Sequence, residues 1–308
     1  MSRYVVGRVL QSVLIVVLIT VTVFVLMRLS AGDPARIRAP VFARPDVIEQ
    51  YARDFGVDRT IIEQLASFVG GAVQGDLGQS FRFQAPVIEL VARAFPRTLL
   101  LAAVALAISL TLAIVLGSLA ARRPNSVFAT VSSVIAALGQ SVPVFWFGLI
   151  LVLFLAVTWP ILPAGGFEGA SSLILPAIAV SLSILPTQLR VLRASMEATL
   201  SQEFIRTARA FGIGERRILM VYALRNAALP LITVIGVDVG YLLGGVIVAE
   251  VVFNFPGIGQ LALVALNARD YPLIQGVTIV TASTFVVVNL LIDLLYGLID
   301  PRIRLERP

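Results

Sequence analysis

EFIRTARAFG, residues 203–212, is a short polar stretch in a chain that is otherwise strongly apolar. On a helix, Phe204, Ala208 and Phe211 fall on one stripe, because they are spaced i, i+4 and i+7. The remaining positions of the stretch are mostly polar or charged. The sequence therefore predicts a small amphipathic helix with one face suited to contact with another surface.

The polar residues of this segment fit the same helix. Arg206 and Arg209 point away from the apolar stripe, and Glu203 lies near the start, where a negative charge suits the helix dipole. Gly212 either ends the helix or allows another backbone to approach closely. Two interpretations stay open for the helix itself. It lies on lipid headgroups, or it forms a surface that a cytoplasmic protein grips.

The composition around this stretch is that of a polytopic membrane protein. The chain has 308 residues, of which 58% are hydrophobic and 14% charged, and its mean hydropathy is +0.94. No soluble domain of this length needs so much apolar surface. The formal charge of +6 fits an anionic membrane surface better than nucleic acid, because the arginines are scattered between apolar runs.

Three absences from the sequence exclude whole classes of chemistry. The chain has no Cys and no His, which removes thiol chemistry, disulfides, His/Cys metal sites and an imidazole base. All 24 basic residues are Arg, so the chain lacks the Lys that a nucleotide-binding P-loop requires. If ATP drives this protein, another chain must bind it.

Six apolar runs are long enough to cross a bilayer. They cover residues 9–27, 98–121, 134–157, 173–192, 230–252 and 276–299. The first follows two arginines, as a signal peptide would. It is long for a signal core and no A-x-A-like cleavage site follows it, so we interpret it as an uncleaved span. Pro143 predicts a kink in the third run.

Residues 28–97 differ from the rest of the chain, because they are polar and carry charges of both signs. Apolar residues recur with helical spacing over 46–55 and 60–73. This periodicity favours a small folded helical subdomain over an unstructured loop. Residues 76–78 predict a turn, and residues 253–275 contain an apolar run too short to span the bilayer, which predicts a surface helix.

The arginines orient the spans by the positive-inside rule. With the N-terminus inside, the short outer loops contain only Arg269, and the long 28–97 segment is not counted. The short cytoplasmic segments contain Arg3, Arg8, Arg122, Arg123, Arg190, Arg193, Arg206, Arg209, Arg216, Arg217, Arg225, Arg302, Arg304 and Arg307. We therefore predict an all-α polytopic membrane protein with six transmembrane helices, cytoplasmic N- and C-termini, and a small extracytoplasmic subdomain between the first two spans.

Three acidic residues lie within the predicted spans, where ionisable groups are costly and face protein or water. Asp238 either lines a solute path or has a structural role, as a hydrogen-bonded anchor between helices or as a pair with an Arg of a partner subunit. Glu250 and Asp293 are better explained as residues at helix interfaces, although Glu250 is also a candidate for a path or gate. Pro143, like Pro176 and Pro186, is a candidate hinge.

Landmark motifs along almost the whole chain resemble one family, the B-type permease subunit of dipeptide/oligopeptide ABC importers, which are binding-protein-dependent and of the type I class. Each motif is weak alone, but their order and spacing are specific. They are GDP at 32–34, DLG at 76–78, SVP at 141–143 with FW at 145–146, LPAGG at 162–166, RASM at 193–196, RTARA at 206–210 with Gly212, FPGIG at 255–259, DYP at 270–272 and DPRIR at 300–304.

The resemblance implies a role for residues 203–212 as the coupling helix that docks in a groove of a cytoplasmic ATPase subunit. The implied coupling residues are Glu203, Phe204, Arg206, Thr207, Ala208, Arg209, Ala210, Phe211 and Gly212. The sequence departs from the family pattern at Ala31, where Pro is usual, and at Phe211, where Lys is common. The second departure leaves open whether this helix makes a salt link that its relatives make.

The resemblance also implies an organisation for the whole chain. Residues 1–27 are the N-terminal tail and first span, 28–97 the extracytoplasmic subdomain, 98–300 an ABC type-1 transmembrane domain with five helices, and 301–308 a cytoplasmic tail. The implied partners are a second homologous permease, two cytoplasmic ATP-binding subunits or domains that hold ATP and Mg, and an extracytoplasmic substrate-binding protein. The chain itself would be a non-catalytic, multi-pass protein of the bacterial plasma membrane.

Other function classes fit the sequence less well. An ion-coupled secondary transporter of small solutes is the main alternative, but it should show inverted repeats and broken helices, and no clear repeat is present. A membrane-embedded hydrolase needs a nucleophile with a base or a metal cluster, and without His or Cys the isolated Asp residues make no such site. A non-transporting scaffold explains the 203–212 segment poorly.

Overall fold

The computed structural model describes residues 2–30, 44–54 and 59–299, and helices account for most of them. Eleven helices are numbered here in chain order. They are α1 (Ser2–Ser30), α2 (Pro45–Asp54), α3 (Ile61–Val73), α4 (Val87–Arg122), α5 (Val127–Ser141), α6 (Val144–Leu151), α7 (Ser171–Leu200), α8 (Glu203–Ala210), α9 (Leu224–Val252), α10 (Ile258–Asn267) and α11 (Tyr271–Ile299).

Two of these helices are extended by π-helical segments. Residues Val152–Thr158 continue α6, and a short turn at Glu215–Arg217 followed by Ile218–Ala223 leads directly into α9. The motifs at 32–34 and 300–304, and the predicted tail 301–308, lie outside the described residues.

Five helical segments are long and apolar enough to span a membrane, and a bent pair brings the number to six if it counts as one span. The five segments are Val6–Met27, Val87–Arg122, Ser171–Leu200, Glu215–Leu242 and Tyr271–Ile292. This agrees with the predicted polytopic, all-helical class. The predicted orientation of the termini stays a prediction.

The third predicted span differs most from the sequence-based expectation. A single kinked helix over 134–157 was expected, but α5 ends at Ser141 and α6 begins at Val144, with a bend of 110° between the two. Val142 and Pro143 both have extended backbones between the helices. The proline ring disfavours helical geometry at the residue before it, so the chain breaks here rather than bending gently.

Two further helices start earlier than hydropathy predicted. α4 begins at Val87, eleven residues before the predicted start of the second span at residue 98, and runs through Pro96 without a break. Likewise the helical run that leads into α9 begins well before Pro230. A helix continues beyond the apolar part of a span because its backbone N–H and C=O groups bond to each other whatever the polarity of the side chains, whereas hydropathy detects only the apolar part.

Packing divides the chain into two compact units, Met1–Arg97 with Gly257–Pro308 and Thr98–Pro256, and the boundary falls within α4. In the second unit α7 is the central helix, packed against α9, α5 and α6. Its core contains Leu175, Val246 and Phe253. Because α7 is covered on several sides, it is buried over most of its length, unlike an outer span.

A close helix contact within this unit depends on a glycine. A Cβ atom placed on Gly139 of α5 would lie 2.6 Å from both the Leu182 carbonyl oxygen and Pro186 Cγ of α7. Pro186 has no N–H to bond the carbonyl four residues earlier, so the Leu182 carbonyl is released from the helix ladder. Glycine therefore allows α5 to approach α7 at this released carbonyl.

In the first unit, α1 and α10 pack against α11. Its core joins residues that are distant in sequence, among them Leu77, Val91 and Leu273. The two helices predicted within 28–97 are present as α2 and α3, and Thr60 and Glu63 form a capping box at the start of α3. The predicted surface helix after residue 253 is α10.

Candidate functional site

The segment predicted as the coupling helix is a distinct short helix, α8, with a well-defined end. The Gly212 N–H donates to the Arg209 carbonyl at 2.9 Å, and the Ile213 N–H donates to the Ala208 carbonyl at 3.1 Å. Gly212 itself has φ +76°. This is a Schellman motif, in which the left-handed residue after the helix is glycine. Of the two roles predicted for Gly212, the structure supports helix termination.

The two faces of α8 have different environments. Ile205 and Ala208 are buried against the chain's own body, Ala208 with only 7% of its surface exposed. Phe204 and Phe211 are 41% and 81% exposed. The predicted stripe of Phe204, Ala208 and Phe211 is thus wrong at Ala208. Ile205 and Ala208, three residues apart, hold the helix to its own subunit and leave the two aromatic rings outward.

The charged residues of α8 pair within the chain. Arg206 Nη1 lies 3.0 Å from Glu203 Oε1, and both side chains are well exposed. Arg209 Nε lies 2.7 Å from Glu215 Oε1, across the turn that follows the helix. The second pair ties the end of α8 to the start of the next helical run. Thr207 and Ala210 are exposed, and Thr207 Oγ1 donates to the Glu203 carbonyl at 3.1 Å.

The acidic residue in the fifth predicted span is buried and hydrogen-bonded. Asp238 of α9 is 6% exposed, and its Oδ2 accepts a hydrogen bond of 2.7 Å from Gln188 Nε2 of α7. Within the described part of the chain, the Gln188 Oε1 atom is buried without a hydrogen-bond partner. Of the two roles predicted for Asp238, this geometry matches a helix–helix anchor.

Glu250 near the end of α9 has a similar environment. Its carboxylate accepts a 2.6 Å hydrogen bond from Thr98 Oγ1 of α4, and both residues are buried. Pro143 precedes the first residue of α6 and marks the 110° bend. The structure does not bring Asp238, Glu250 and Pro143 together through any described contact. The side chain of Asp293 lies outside the described part of α11.

Sequence reasoning missed the role of Asp270. This residue is fully buried, and its Oδ2 accepts hydrogen bonds from Ser80 Oγ at 2.5 Å and from the Arg82 N–H at 2.9 Å. Its Oδ1 accepts from the Leu273 N–H at 3.3 Å, which caps the start of α11. The available signal was the Asp directly before Tyr271 and Pro272, because Asp is a preferred cap and Pro is tolerated in a first turn.

None of the described residues forms a cluster of three or more His, Cys, Asp or Glu that could hold a metal ion. Two buried carboxylates of the second unit instead join pairs of helices, through the Asp238–Gln188 and Glu250–Thr98 contacts.

Several apolar spans, with the short helix α8 between two of them, make this a polytopic membrane protein. Residues 113–305 match the model of the binding-protein-dependent transport system inner membrane component, and residues 1–102 match the model of the N-terminal part of such membrane components. The chain belongs to this family and is an inner-membrane protein. Members of this family are the permease components of ABC transporters, and they are non-catalytic.

Similar proteins cover nearly the full length of the chain. A probable peptide ABC transporter permease protein of Sinorhizobium fredii is 34% identical over 99% of this chain and 100% of its own. The oligopeptide transport system permease protein AppB of Bacillus subtilis is 37% identical over 98% and 99%. The dipeptide transport system permease protein DppB of Escherichia coli K12 is 35% identical over 93% and 94%.

Proposed function

We propose that this chain forms half of the translocation pathway of an ATP-driven importer for di- or oligopeptides. The cargo is inferred from relatives that are named for peptides, dipeptides or oligopeptides and that match this chain almost from end to end. The observation that carries the ATP-driven mechanism is α8, a short capped helix that is fastened to its own subunit on one face and exposes Phe204 and Phe211 on the other.

α8 is the surface on which an ATPase subunit docks. Two exposed aromatic rings can fill an apolar groove, and aromatic anchors of this kind dominate the energy of protein interfaces. The pairs Arg206–Glu203 and Arg209–Glu215 hold charge at the edge of this surface. Because Ile205 and Ala208 face inward, a push on the aromatic rings is passed to the helices behind α8 rather than absorbed by movement of α8 alone.

The complete importer contains further chains. A second homologous permease encloses the pathway, and two cytoplasmic ATP-binding subunits or domains bind ATP and Mg and perform the hydrolysis. An extracytoplasmic binding protein delivers the cargo to a surface formed by residues 28–97, 158–172 and 253–275. Both termini of this chain lie in the cytoplasm. Closure of the ATPases brings two coupling helices together and rocks the membrane helices between two states.

Glu250 and Pro143 are the residues we assign to a gate in this cycle, and Asp238 to the anchor of α9 on α7. Pro143 lies at the 110° break between α5 and α6. Glu250 fastens the end of α9 to α4 through Thr98. If the outer ends of the helices separate, the angle at the α5–α6 break and the Glu250–Thr98 hydrogen bond must both change.

The test uses Phe204→Ala and Phe211→Ala, alone and together, in a tagged chain extracted in mild detergent. We expect ATP-binding subunits to be lost from the purified complex and ATP-dependent uptake to fall, while the amount of chain in the membrane is unchanged. Phe285→Ala is the matched control, because Phe285 is also an exposed ring, 44% accessible, outside α8 and outside the segments assigned to the binding-protein surface. The ATPases should be retained by the double variant if the docking assignment is wrong.

Reconstitution separates this proposal from an ion-coupled secondary transporter. The chain purified alone, placed in liposomes with an ion gradient and no ATP, should move no peptide. Gradient-driven uptake by the chain alone would contradict the importer proposal, whatever the effect of the α8 variants.

A further inference from the structure

A polar face in the second unit has no part in the function assigned above. Helix α5 carries two exposed stripes that differ in chemistry. One stripe is apolar and contains Val127, Val131, Val134 and Leu138. The other stripe is small or polar and contains Thr130, Ser133, Ala137 and Gln140. Members of each set are three or four residues apart, so each set occupies one side of the helix, and only the apolar side suits contact with lipid.

Helix α7 extends the polar stripe of α5. Most of α7 is buried, but Thr187 and Arg190 are exposed and lie three residues apart, on one side of the helix. Arg190 Nη1 donates a hydrogen bond to Gln140 Oε1 at 2.9 Å, and Arg193 Nη1 donates to Ser133 Oγ at 3.3 Å. These two hydrogen bonds join the helices into one surface, here called the α5–α7 polar face, which consists of Ser133, Gln140, Thr187, Arg190 and Arg193.

The Gln140–Arg190 contact lies at a depth where the neighbouring surface is apolar. Gln140 is thirteen residues after Val127, the first residue of α5, which is about 20 Å at a rise of about 1.5 Å per residue. Val127 is an exposed apolar residue, and so are Phe145 and Trp146 just after the α5–α6 break. Exposed apolar side chains therefore lie before and after Gln140 in the chain, as they do within the apolar core of a bilayer. An exposed arginine at this depth is costly in lipid, so Arg190 faces water or another protein.

The positive charge of Arg190 has no counter-charge in the described part of the chain. Arg193 forms an ion pair with Glu197, whose Oε1 lies 2.8 Å from Arg193 Nε. Arg190 forms no ion pair with a described residue, and its hydrogen-bond partner Gln140 is a neutral amide. A guanidinium has several N–H donors in a planar fork, so donors remain for both oxygens of a carboxylate. A dry interface would require another protein to supply that carboxylate, whereas water solvates the charge directly.

We propose that the α5–α7 polar face lines the water-filled pathway and that Arg190 is a specificity-determining residue there, which attracts carboxylate groups of the cargo. The face ends beside the α5–α6 break, because Gln140 lies three residues before Pro143. A charge in a narrow channel with apolar walls raises the local concentration of ions of the opposite sign. The assignment to a pathway rests on the proposed transport function, but the contact of this face with water is measured without transport.

The first experiment measures contact with water in the full chain with its co-purifying subunits, held in lipid nanodiscs. The chain has no cysteine, so Gln140→Cys and Thr187→Cys each introduce a single thiol into it. Leu138→Cys is the matched control, because Leu138 is 53% exposed on the apolar stripe of the same helix, two residues from Gln140. We expect a charged methanethiosulfonate to modify the thiols at 140 and 187 but not the thiol at 138, which lipid covers. Protection of all three thiols, or equal modification of all three, would overturn the proposal.

The second experiment tests the charge of Arg190 at the thiol of Thr187→Cys, about one helical turn away. The probes are the sulfonate and the trimethylammonium methanethiosulfonates, which carry charges of opposite sign. The ratio of the anionic to the cationic reaction rate should fall by about threefold or more in Arg190→Gln and be retained in Arg190→Lys. Arg123→Gln should leave the ratio unchanged, since Arg123 is exposed before the start of α5, at the opposite end of that helix from Gln140. A ratio that Arg190→Gln does not alter would overturn the role of Arg190.

The third measurement is ATP-dependent uptake of alanylglutamate and alanylglutamine, which have the same shape and differ by one negative charge. The binding protein is the same for every variant, so a change in the ratio of acidic to neutral uptake belongs to the permease. This ratio should fall severalfold in Arg190→Gln and be kept in Arg190→Lys, and an equal ratio in all three chains would overturn the selectivity. If the unmodified chain and its partners take up neither peptide, the proposed function fails, and the labelling pattern still decides separately whether the face is in contact with water.

Discussion

Gly212 illustrates how one residue determines the shape of a surface. Its φ of +76° lies in the left-handed region, and a Cβ there meets no neighbouring atom within 4 Å, so the requirement for glycine is conformational rather than spatial. For a residue with a Cβ, this conformation costs about 1–2 kcal/mol. The Schellman motif that positions Phe211 therefore depends on this glycine.

Gly212→Ala should loosen the end of α8, displace Phe211 and lower both ATPase co-purification and ATP-dependent uptake severalfold. Gly214→Ala is the matched control, because Gly214 has φ −64° and a Cβ at that position also meets no atom within 4 Å. Uptake and subunit recovery measured side by side give the answer. Equal activity of the two variants would mean that the helix end does not contribute to docking.

The Asp238–Gln188 hydrogen bond permits a second test on single residues. If Asp238 is an anchor, Asp238→Asn should leave uptake unchanged for several peptides, because an amide oxygen still accepts from Gln188. Asp238→Ala and Gln188→Ala should each destabilise the chain, and the double variant should cost less than their sum, with a coupling of about 0.6–1.7 kcal/mol. Thermal unfolding in detergent measures the coupling, and peptide-dependent loss of uptake in Asp238→Asn would instead place Asp238 in the path.

Among the elements, the contact of α5 with α7 leaves no room for a side chain at Gly139. At Gly139 even a methyl group would meet the Leu182 carbonyl and the Pro186 ring at 2.6 Å, and backbone atoms cannot move aside cheaply. This contact lies two residues before Ser141, where α5 ends. The position of the break relative to α7 is consequently set by packing as well as by Pro143.

Gly139→Ala should lower thermal stability by about 1–3 kcal/mol through overpacking. Gly244→Ala in α9 should have the opposite sign, since a Cβ there meets nothing within 4 Å and alanine favours a helix by up to about 1 kcal/mol. Unfolding of the two variants in the same detergent gives the comparison. A Gly139→Ala chain as stable as the Gly244→Ala chain would show that α5 can shift away from α7.

On the scale of the whole molecule, the orientation in the membrane is the main untested prediction. The chain has no cysteine, so single cysteines can be introduced without background labelling. Ser67→Cys and Thr207→Cys both lie at exposed positions, the first in the predicted extracytoplasmic subdomain and the second in α8. A membrane-impermeant thiol reagent applied to intact cells should label Cys at 67 and leave Cys at 207 unlabelled until the cells are opened.

The reverse labelling pattern would place α8 outside and exclude its role in ATPase docking. Labelling of both positions in intact cells would show that the reagent enters the cells. Ser201→Cys, just after the last turn of α7, is a second predicted cytoplasmic position, and its labelling in intact cells would also reveal this entry. Ser201 is exposed and lies two residues before the start of α8 at Glu203.

Much of the molecule follows from the sequence alone. Hydropathy located the spans because crossing a bilayer needs about 20 apolar residues in a row, a property that is local in sequence. Helical spacing likewise located α2, α3 and α8, and an apolar run too short to span the bilayer located α10. The order of the short motifs was enough to assign the family, and the similarity to peptide permeases over the full chain agrees with it.

Other features depend on which distant residues meet, and only the tertiary structure decided them. An amphipathic helix has more than one candidate inner face, and packing placed Ile205 and Ala208 inward where the stripe had Ala208 outward. The partners Asp238–Gln188 and Asp270–Ser80 are 50 and 190 residues apart, and no local pattern links such positions. A buried carboxylate must find a donor, but the sequence does not specify which one, because that choice is made by the packing of whole helices.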